Sequence, residues 1–303
     1  MESLPRAYEN LRESVRESRG SRKLSTFPSI NLVSLRSLSH RPLQFPYSSL
    51  TVPLQFTKYI PLIGSIASHR GQKSMNKKEI EKLIKEKEKR IKLKEYNNNF
   101  TKFAEEQIQI ITKDAAQGFV PFTFNRCQQI ITDALSKQLE ETGKVRAIIL
   151  KARQQGISTY CSGRVFWKSY FTAYARSVVM AHDSATSDAL FAMSKNLIRN
   201  MSGNLSPTEI RSNAKEIIIN SPWMPDKDAT ASYRLYTAGS PEAGRGTTPT
   251  IAHLSEVAFW MHDEKILAGL FQGISQAEGT EVILESTANG SQGEFYRLWK
   301  GAV

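Results

Sequence analysis

Only two cysteines, Cys127 and Cys161, occur among the 303 residues. Two cannot build a disulfide framework or a cysteine-rich zinc cluster, and the usage fits a reducing compartment. His182, His253 and His262 lack metal-ligand spacing. Neither a nucleophilic cysteine site nor a Ser-His-Asp set is suggested. Long apolar runs are missing too. The best stretch, residues 43–66, is broken by Pro46, Pro53 and Pro61 and carries Lys58, so no transmembrane helix is expected. Acidic residues are absent from 20–74, and no internal repeat is visible.

What is present fits a globular protein. Hydrophobic residues make up 40% and aromatics 9%, which excludes wholesale disorder and collagen-like repeats. The length suits one large or two modest domains. Lys and Arg number 41 against 29 Asp and Glu, giving a net charge of +12. Of these, residues 1–74 hold 11 basic and 4 acidic residues, so most of the excess lies outside the folded body. A basic surface is one footprint of nucleic-acid binding, but net charge alone decides little.

In residues 20–74 Ser, Leu, Arg and Pro dominate, and no hydrophobic period is sustained. Three readings fit: a disordered basic arm, an Arg/Ser-rich transit peptide, or sequence upstream of a miscalled start. The change of composition at Met75 favours the third. The four glutamates before Gly20 count against a transit peptide.

Residues 75–117 read as a charged helical lead-in, with one helix over 77–95. Ile80, Leu83, Ile84 and Ile91 form a narrow apolar stripe among Lys and Glu, and Asn97 to Asn99 end it. The stripe suits either a DNA- or partner-binding arm or a solvated helix on a domain edge. From residue 118 helices and strands alternate. Helices are expected at 126–140, 158–173, 184–200 and 263–276. Strands are expected at 145–150, 177–182, 216–219, 233–237, 250–254 and 280–285, with a Pro-rich turn at 221–225. The alternation predicts an α/β fold with a mainly parallel sheet flanked by helices, binding ligands at the carboxyl ends of the strands.

At the end of the first of these strands stands Lys151-Ala-Arg-Gln-Gln-Gly156-Ile-Ser-Thr159. A phosphate loop reads G-x-x-x-x-G-K-[ST], placing backbone N–H groups and a lysine around phosphates. Gly156 and Ser158 keep register with that pattern. Ile157, however, replaces the lysine, and Lys151 stands where the first glycine would be. Isoleucine cannot neutralise a phosphate, so Lys151 and Arg153 are the candidate cations, entering from the opposite end of the loop. Ser158 or Thr159 would ligate Mg2+, and the helix N-terminus would add its dipole. Alone, the match is weak.

Three further segments follow the expected order: 122–130 (Phe-Thr-Phe-Asn-Arg-Cys-Gln-Gln-Ile), 238–260 (containing Gly244-Arg-Gly246 and Ser255-Glu256) and Ile283-Leu-Glu-Ser-Thr-Ala-Asn-Gly290. With the loop, they resemble the ATPase domain of the large terminase subunit of tailed bacteriophages, the motor that packs DNA into preformed heads. The resemblance covers residues 119–299 and extends weakly to Met75. It implies a P-loop NTPase-type fold using ATP and Mg2+. Its partners would be double-stranded DNA, a small terminase subunit and the prohead portal, in a homo-oligomeric ring in the host bacterial cytoplasm, with no membrane.

Residue by residue, the resemblance makes Gln128 the adenine reader, with Phe124 possible as a stacking partner; the alternative is a polar helix residue facing solvent. Lys151 becomes a displaced phosphate lysine with Arg153 beside it, and Gln154, Gln155, Gly156, Ile157, Ser158 and Thr159 the nucleotide loop. Glu256 becomes the catalytic glutamate that polarises the attacking water. Ser255 stands where an aspartate normally supports Mg2+, so it would act only through water, unless another acid such as Asp183 compensates. Arg245 matches a family arginine that senses phosphate or contacts DNA, or else shapes a Gly-rich turn. Ser286, Thr287 and Asn289 match the coupling motif, although they suit an ordinary strand-to-loop turn equally well. The nuclease domain of large terminases is not expected within these residues. The alternatives are an impaired prophage remnant that binds nucleotide or DNA without turnover, and another nucleic-acid-dependent P-loop ATPase.

Overall fold

A computed structural model of the chain describes residues 31–34, 77–112, 117–201, 203–239, 243 and 246–302. The chain divides into Met1–Ile30, which lies outside the described residues, and Asn31–Val303. The latter is built on one mixed sheet. Seven strands come from the body: β4 (Val145–Leu150), β5 (Arg176–Ala181), β6 (Thr208–Ser212), β7 (Glu216–Asn220), β8 (Ala231–Thr237), β9 (Ile251–Ser255) and β10 (Glu281–Ser286). An eighth, β1 (Asn31–Ser34), pairs parallel to β4 at one edge. The spatial order is β1-β4-β10-β9-β5-β8-β7-β6.

Strands β1 through β8 in that order are parallel, and β7 and β6 close the far edge as antiparallel neighbours. β4, β9 and β10 are buried almost throughout, as strands covered on both faces must be. The expected α/β sheet is therefore present. Most important for the site, β10 comes late in sequence yet inserts between β4 and β9.

Helices fill the connections. α1 (Lys77–Asn98) and α2 (Phe100–Gln107) precede a small hairpin of β2 (Gln109–Ile111) and β3 (Phe119–Pro121). Then come α3 (Arg126–Thr142), α4 (Ile157–Phe171), α5 (Ser184–Arg199), α6 (Asp263–Gly273) and α7 (Gly293–Ala302). α4 is the central helix: Ile157, Tyr160, Val165, Phe166, Tyr170 and Phe171 are all buried. Phe100 and Phe103 of α2 stack into the same aromatic cluster with Phe124, Tyr160, Phe166 and Trp167. Burying side chains of this size contributes about 1.5–3 kcal/mol each. Gly163 allows the close approach of α4 to Phe122, because a Cβ there would lie 2.9 Å from the ring.

Several expectations need correction. α1 runs through Asn97 and Asn98, past its expected end at 95, and Asn99 caps a further helix, accepting a hydrogen bond from Lys102 N. The apolar stripe of Ile80, Leu83, Ile84 and Ile91 is 46–70% exposed, which agrees with both readings of that helix, and α1 buries Leu93 and Tyr96. α4 stops at Phe171 and α6 at Gly273, short of their expected ends. In the segment before Met75, where no regular element is expected, Asn31–Ser34 forms a strand. α2, the β2–β3 hairpin, β6 and α7 were not anticipated. β6 is short, polar and mostly exposed, so it carries no hydrophobic alternation to reveal it.

Candidate nucleotide site

Parallel strands expose their carboxyl ends on one side, and the loop after β4 lies there. Gln154 and Gly156 both take the left-handed conformation, φ 66° and 70°. Gly156 is the N-cap of α4 and supplies no side-chain cap, so the helix terminus is left open. The loop is held from behind by the start of α3. Asn125 Nδ2 donates to Gln155 O at 3.1 Å, and Gln128 Nε2 donates to Gly156 O at 2.9 Å.

Gln128 is thus neither solvent-facing nor free. It is 4% exposed, and its Oε1 accepts from Asn125 N while Asn125 Oδ1 accepts from Gln128 N, forming a capping box. Phe124, the stacking candidate, is buried among Phe100, Phe122 and Tyr160. Arg153 is exposed and makes no ion pair among the described residues. Ile157 is buried in the core, and Thr159 is half-buried on the first turn of α4.

Lys151 turns inward, its side chain 9% exposed. Its ammonium lies 2.8 Å from Glu256 Oε1 and 2.8 Å from Glu285 Oε2, and donates to Ser158 Oγ at 3.2 Å. Burial opposes this charge, but the Glu285 and Glu256 carboxylates outweigh it and raise the ammonium above the usual lysine range.

Glu285 had no assigned role in the sequence, yet it is the hub of the site. It is wholly buried on β10, opposite Ser255 of β9 and Ile149 of β4 in the parallel register. Its Oε1 accepts from Ser255 Oγ at 2.7 Å and Ser158 Oγ at 3.0 Å, with His253 Nε2 at 3.2 Å. Burial pushes its carboxyl up, but the His253 contact and the Lys151 ammonium more than reverse this and hold it well below the usual range. No local motif could have revealed the role, because the partners come from β4, α4 and β9.

Glu256 follows β9 in a left-handed conformation, φ 51° and ψ 44°, rare for a residue with a Cβ. That turn places its carboxylate over the strand ends. Oε2 accepts from Thr287 N and Thr287 Oγ1, both at 3.1 Å, and from Ser286 Oγ at 3.4 Å. Ser286 Oγ in turn accepts from Ala258 N, and Asn289 Nδ2 donates to Ala258 O at 2.9 Å. The structure therefore gathers Lys151, Ser158, Ser255, Glu256, Ser286 and Thr287 around one point, with Asn289 bracing the turn after Glu256. Asp183 instead caps α5, accepting from Thr186 N and Oγ1, and pairs with His182. Arg245 lies outside the described residues.

The donor set suits a hard divalent cation, which prefers oxygen ligands and commonly combines one or two carboxylates with substrate phosphates. Two carboxylates and two hydroxyls meet here, and an ammonium already sits between the carboxylates. Among the described residues no cluster of three His, Cys, Asp or Glu is placed to hold a metal ion. No helix among the described residues is long and apolar enough to cross a membrane.

No protein-family profile matches the sequence, and no curated protein does either. Among solved structures, the chain is similar to the ATPase domain of the Thermus phage P74-26 large terminase. A mutant form gives 15% identity over 58% of this chain and 69% of that one, TM-score 0.42. A second structure of that domain gives 16% identity over 51% and 62%, TM-score 0.39. The HK97 bacteriophage large terminase gives 15% identity and TM-score 0.48, over 63% of this chain but only 37% of that protein.

Proposed function

We propose that this chain is an ATP-hydrolysing motor module of the large-terminase type, which uses hydrolysis to move double-stranded DNA into a prohead. The observation that carries this is the meeting of Lys151, Ser158 and Glu256 at the carboxyl ends of parallel strands, with Ser286 and Thr287 bound directly to Glu256. Those are the residues that the motif resemblance pairs as phosphate cation, metal hydroxyl, catalytic carboxylate and coupling segment.

The free site is neutralised internally, with Lys151 shared between two carboxylates. An entering triphosphate would compete for that ammonium and find the open N-terminus of α4 beside it. Once Lys151 turns to the phosphates, Glu256 Oε1 is released to accept a hydrogen bond from the attacking water and orient it. Oε2 stays gripped by Thr287 and Ser286, so the carboxylate need not reorganise. Ser158 and a site carboxylate would hold Mg2+, which supplies charge neutralisation of the phosphate oxygens. A shift of Glu256 when the γ-phosphate leaves would pull on Thr287 and on β10, a direct route from chemistry to conformation. Partners would be the DNA, a small terminase subunit and the portal, with copies of the chain forming a ring.

ATP turnover by the full chain with and without double-stranded DNA tests the reading. Turnover that is abolished in Glu256→Gln and stimulated by DNA is expected. Turnover indifferent to both would contradict it.

A further inference from the structure

The sequence leaves a gap beside Glu256, since Ser255 brings no charge where a phosphate-loop enzyme needs a carboxylate for its cation. The sheet order shows how the gap is filled. β10 lies between β4 and β9, and its register sets Glu285 directly beside Ser255 and next to the strand that launches the loop. We propose that Glu285 is the carboxylate that holds the divalent cation of the bound nucleotide, assisted by Ser158 and Ser255, with Lys151 keeping that place until the nucleotide arrives. The proposal rests on the nucleotide-hydrolysing reading above and names the metal residue of that same site.

Three observations support it. Glu285 binds the hydroxyl of Ser158, the residue in register with the metal-binding Ser/Thr of a phosphate loop. Its second oxygen, Oε2, is buried and engaged by the Lys151 ammonium alone, at 2.8 Å. When Lys151 moves to the phosphates, that wholly buried carboxylate loses its cation, and a new positive charge must replace it. The other acids are committed elsewhere. Glu256 gives Oε2 to Thr287 and Ser286, and Asp183 gives both oxygens to Thr186 at an exposed helix cap.

His253 fixes the arrangement. It is buried on β9 two residues before Ser255, and its Nε2 faces the same Glu285 oxygen that takes the two hydroxyls. Three donors on Oε1 orient the carboxyl so that Oε2 points at the ammonium. A carboxylate on β10 therefore occupies the ground that an aspartate on β9 would occupy, one strand away.

The test is equilibrium binding of a fluorescent ATP analogue to the full chain in Mg2+ and in EDTA, with Mn2+ affinity of the nucleotide complex read by electron paramagnetic resonance. In the parent, the cation should tighten nucleotide binding. In Glu285→Gln, cation-free binding should persist while Mn2+ affinity falls about 10- to 100-fold, the usual loss when support of a metal is removed. Ser255→Asp in the Glu285→Gln background should restore it, because the new carboxylate enters from the neighbouring register position. An unchanged Mn2+ affinity in folded Glu285→Gln overturns the proposal while leaving the nucleotide site standing. Absence of nucleotide binding by the parent overturns the reading of the site, and this proposal with it. Should Glu285→Gln not fold, pulsed resonance on the Mn2+–nucleotide complex of Glu256→Gln carrying 13C-labelled glutamate decides. A glutamate carboxylate coupling supports Glu285, and its absence overturns the assignment.

Discussion

Thr287 grips Glu256 twice, its backbone amide and its hydroxyl each 3.1 Å from the same carboxylate oxygen. The two residues are 31 positions apart in sequence and belong to the turns that leave β9 and β10. The contact ties the carboxylate assigned to water activation to the strand that also carries Glu285.

Thr287→Val removes the hydroxyl contact but keeps the amide. A hydrogen bond to a charged group is worth about 1.5–3 kcal/mol, so turnover should fall by about 10- to 150-fold, with nucleotide affinity unchanged. Steady-state ATPase assays beside equilibrium binding separate the two.

Glu256→Gln should lower turnover by about 100- to 10,000-fold, the range for losing a positioned general base. Because Glu256 Oε1 also holds Lys151 in the free site, removing its charge should tighten nucleotide binding rather than weaken it. Stopped-time hydrolysis and direct titration of the same preparation would show both effects.

Gly156→Ala forces a Cβ onto a residue at φ +70°, 2.9 Å from Gln128 Nε2. The clash falls on the amide that supports the loop. A loss of about 1–3 kcal/mol of stability is expected, together with weakened nucleotide binding, measurable by chemical denaturation and titration.

On α4, away from the site, Arg164 forms a bidentate pair with Glu281 of β10, at 2.6 and 3.1 Å, both residues nearly inaccessible. Breaking it by Arg164→Ala should cost about 3–5 kcal/mol, since the buried carboxylate then keeps only Lys168, 3.4 Å from its Oε1. Burial pushes the Glu281 carboxyl up, but Arg164 and Lys168 outweigh it and hold it below its ordinary value. Its folded value being depressed, the pair's contribution is complete above the unfolded carboxyl value of about 4.3 and is lost as pH falls through the folded value. Denaturation curves of parent and Glu281→Gln should therefore differ most near neutrality and converge in acid.

The β4–loop–α4 unit is legible in the sequence because a buried run, a Gly at a left-handed position and a helical period follow one another without interruption. Glu256 and Ser286–Thr287 were singled out by the motif resemblance, and the structure brings their side chains into contact. Glu285 was not. In sequence it is one more residue of a buried strand, and only the insertion of β10 between β4 and β9 brings it to Ser158 and Ser255. Gln128, matched to a base-reading role by the resemblance, also closes a capping box with Asn125, a contact that the Asn125-x-x-Gln128 spacing allows.

In the proposed function, Lys151 serves a nucleotide site although it lies at the opposite end of the loop from the usual lysine. Calorimetric titration of the full chain and of Lys151→Met with MgATP tests it most directly. The account predicts saturable binding by the parent and at least about tenfold weaker binding by the variant, about 1.4 kcal/mol or more. A folded parent that binds no MgATP, or a folded Lys151→Met that binds it as tightly as the parent, would contradict it.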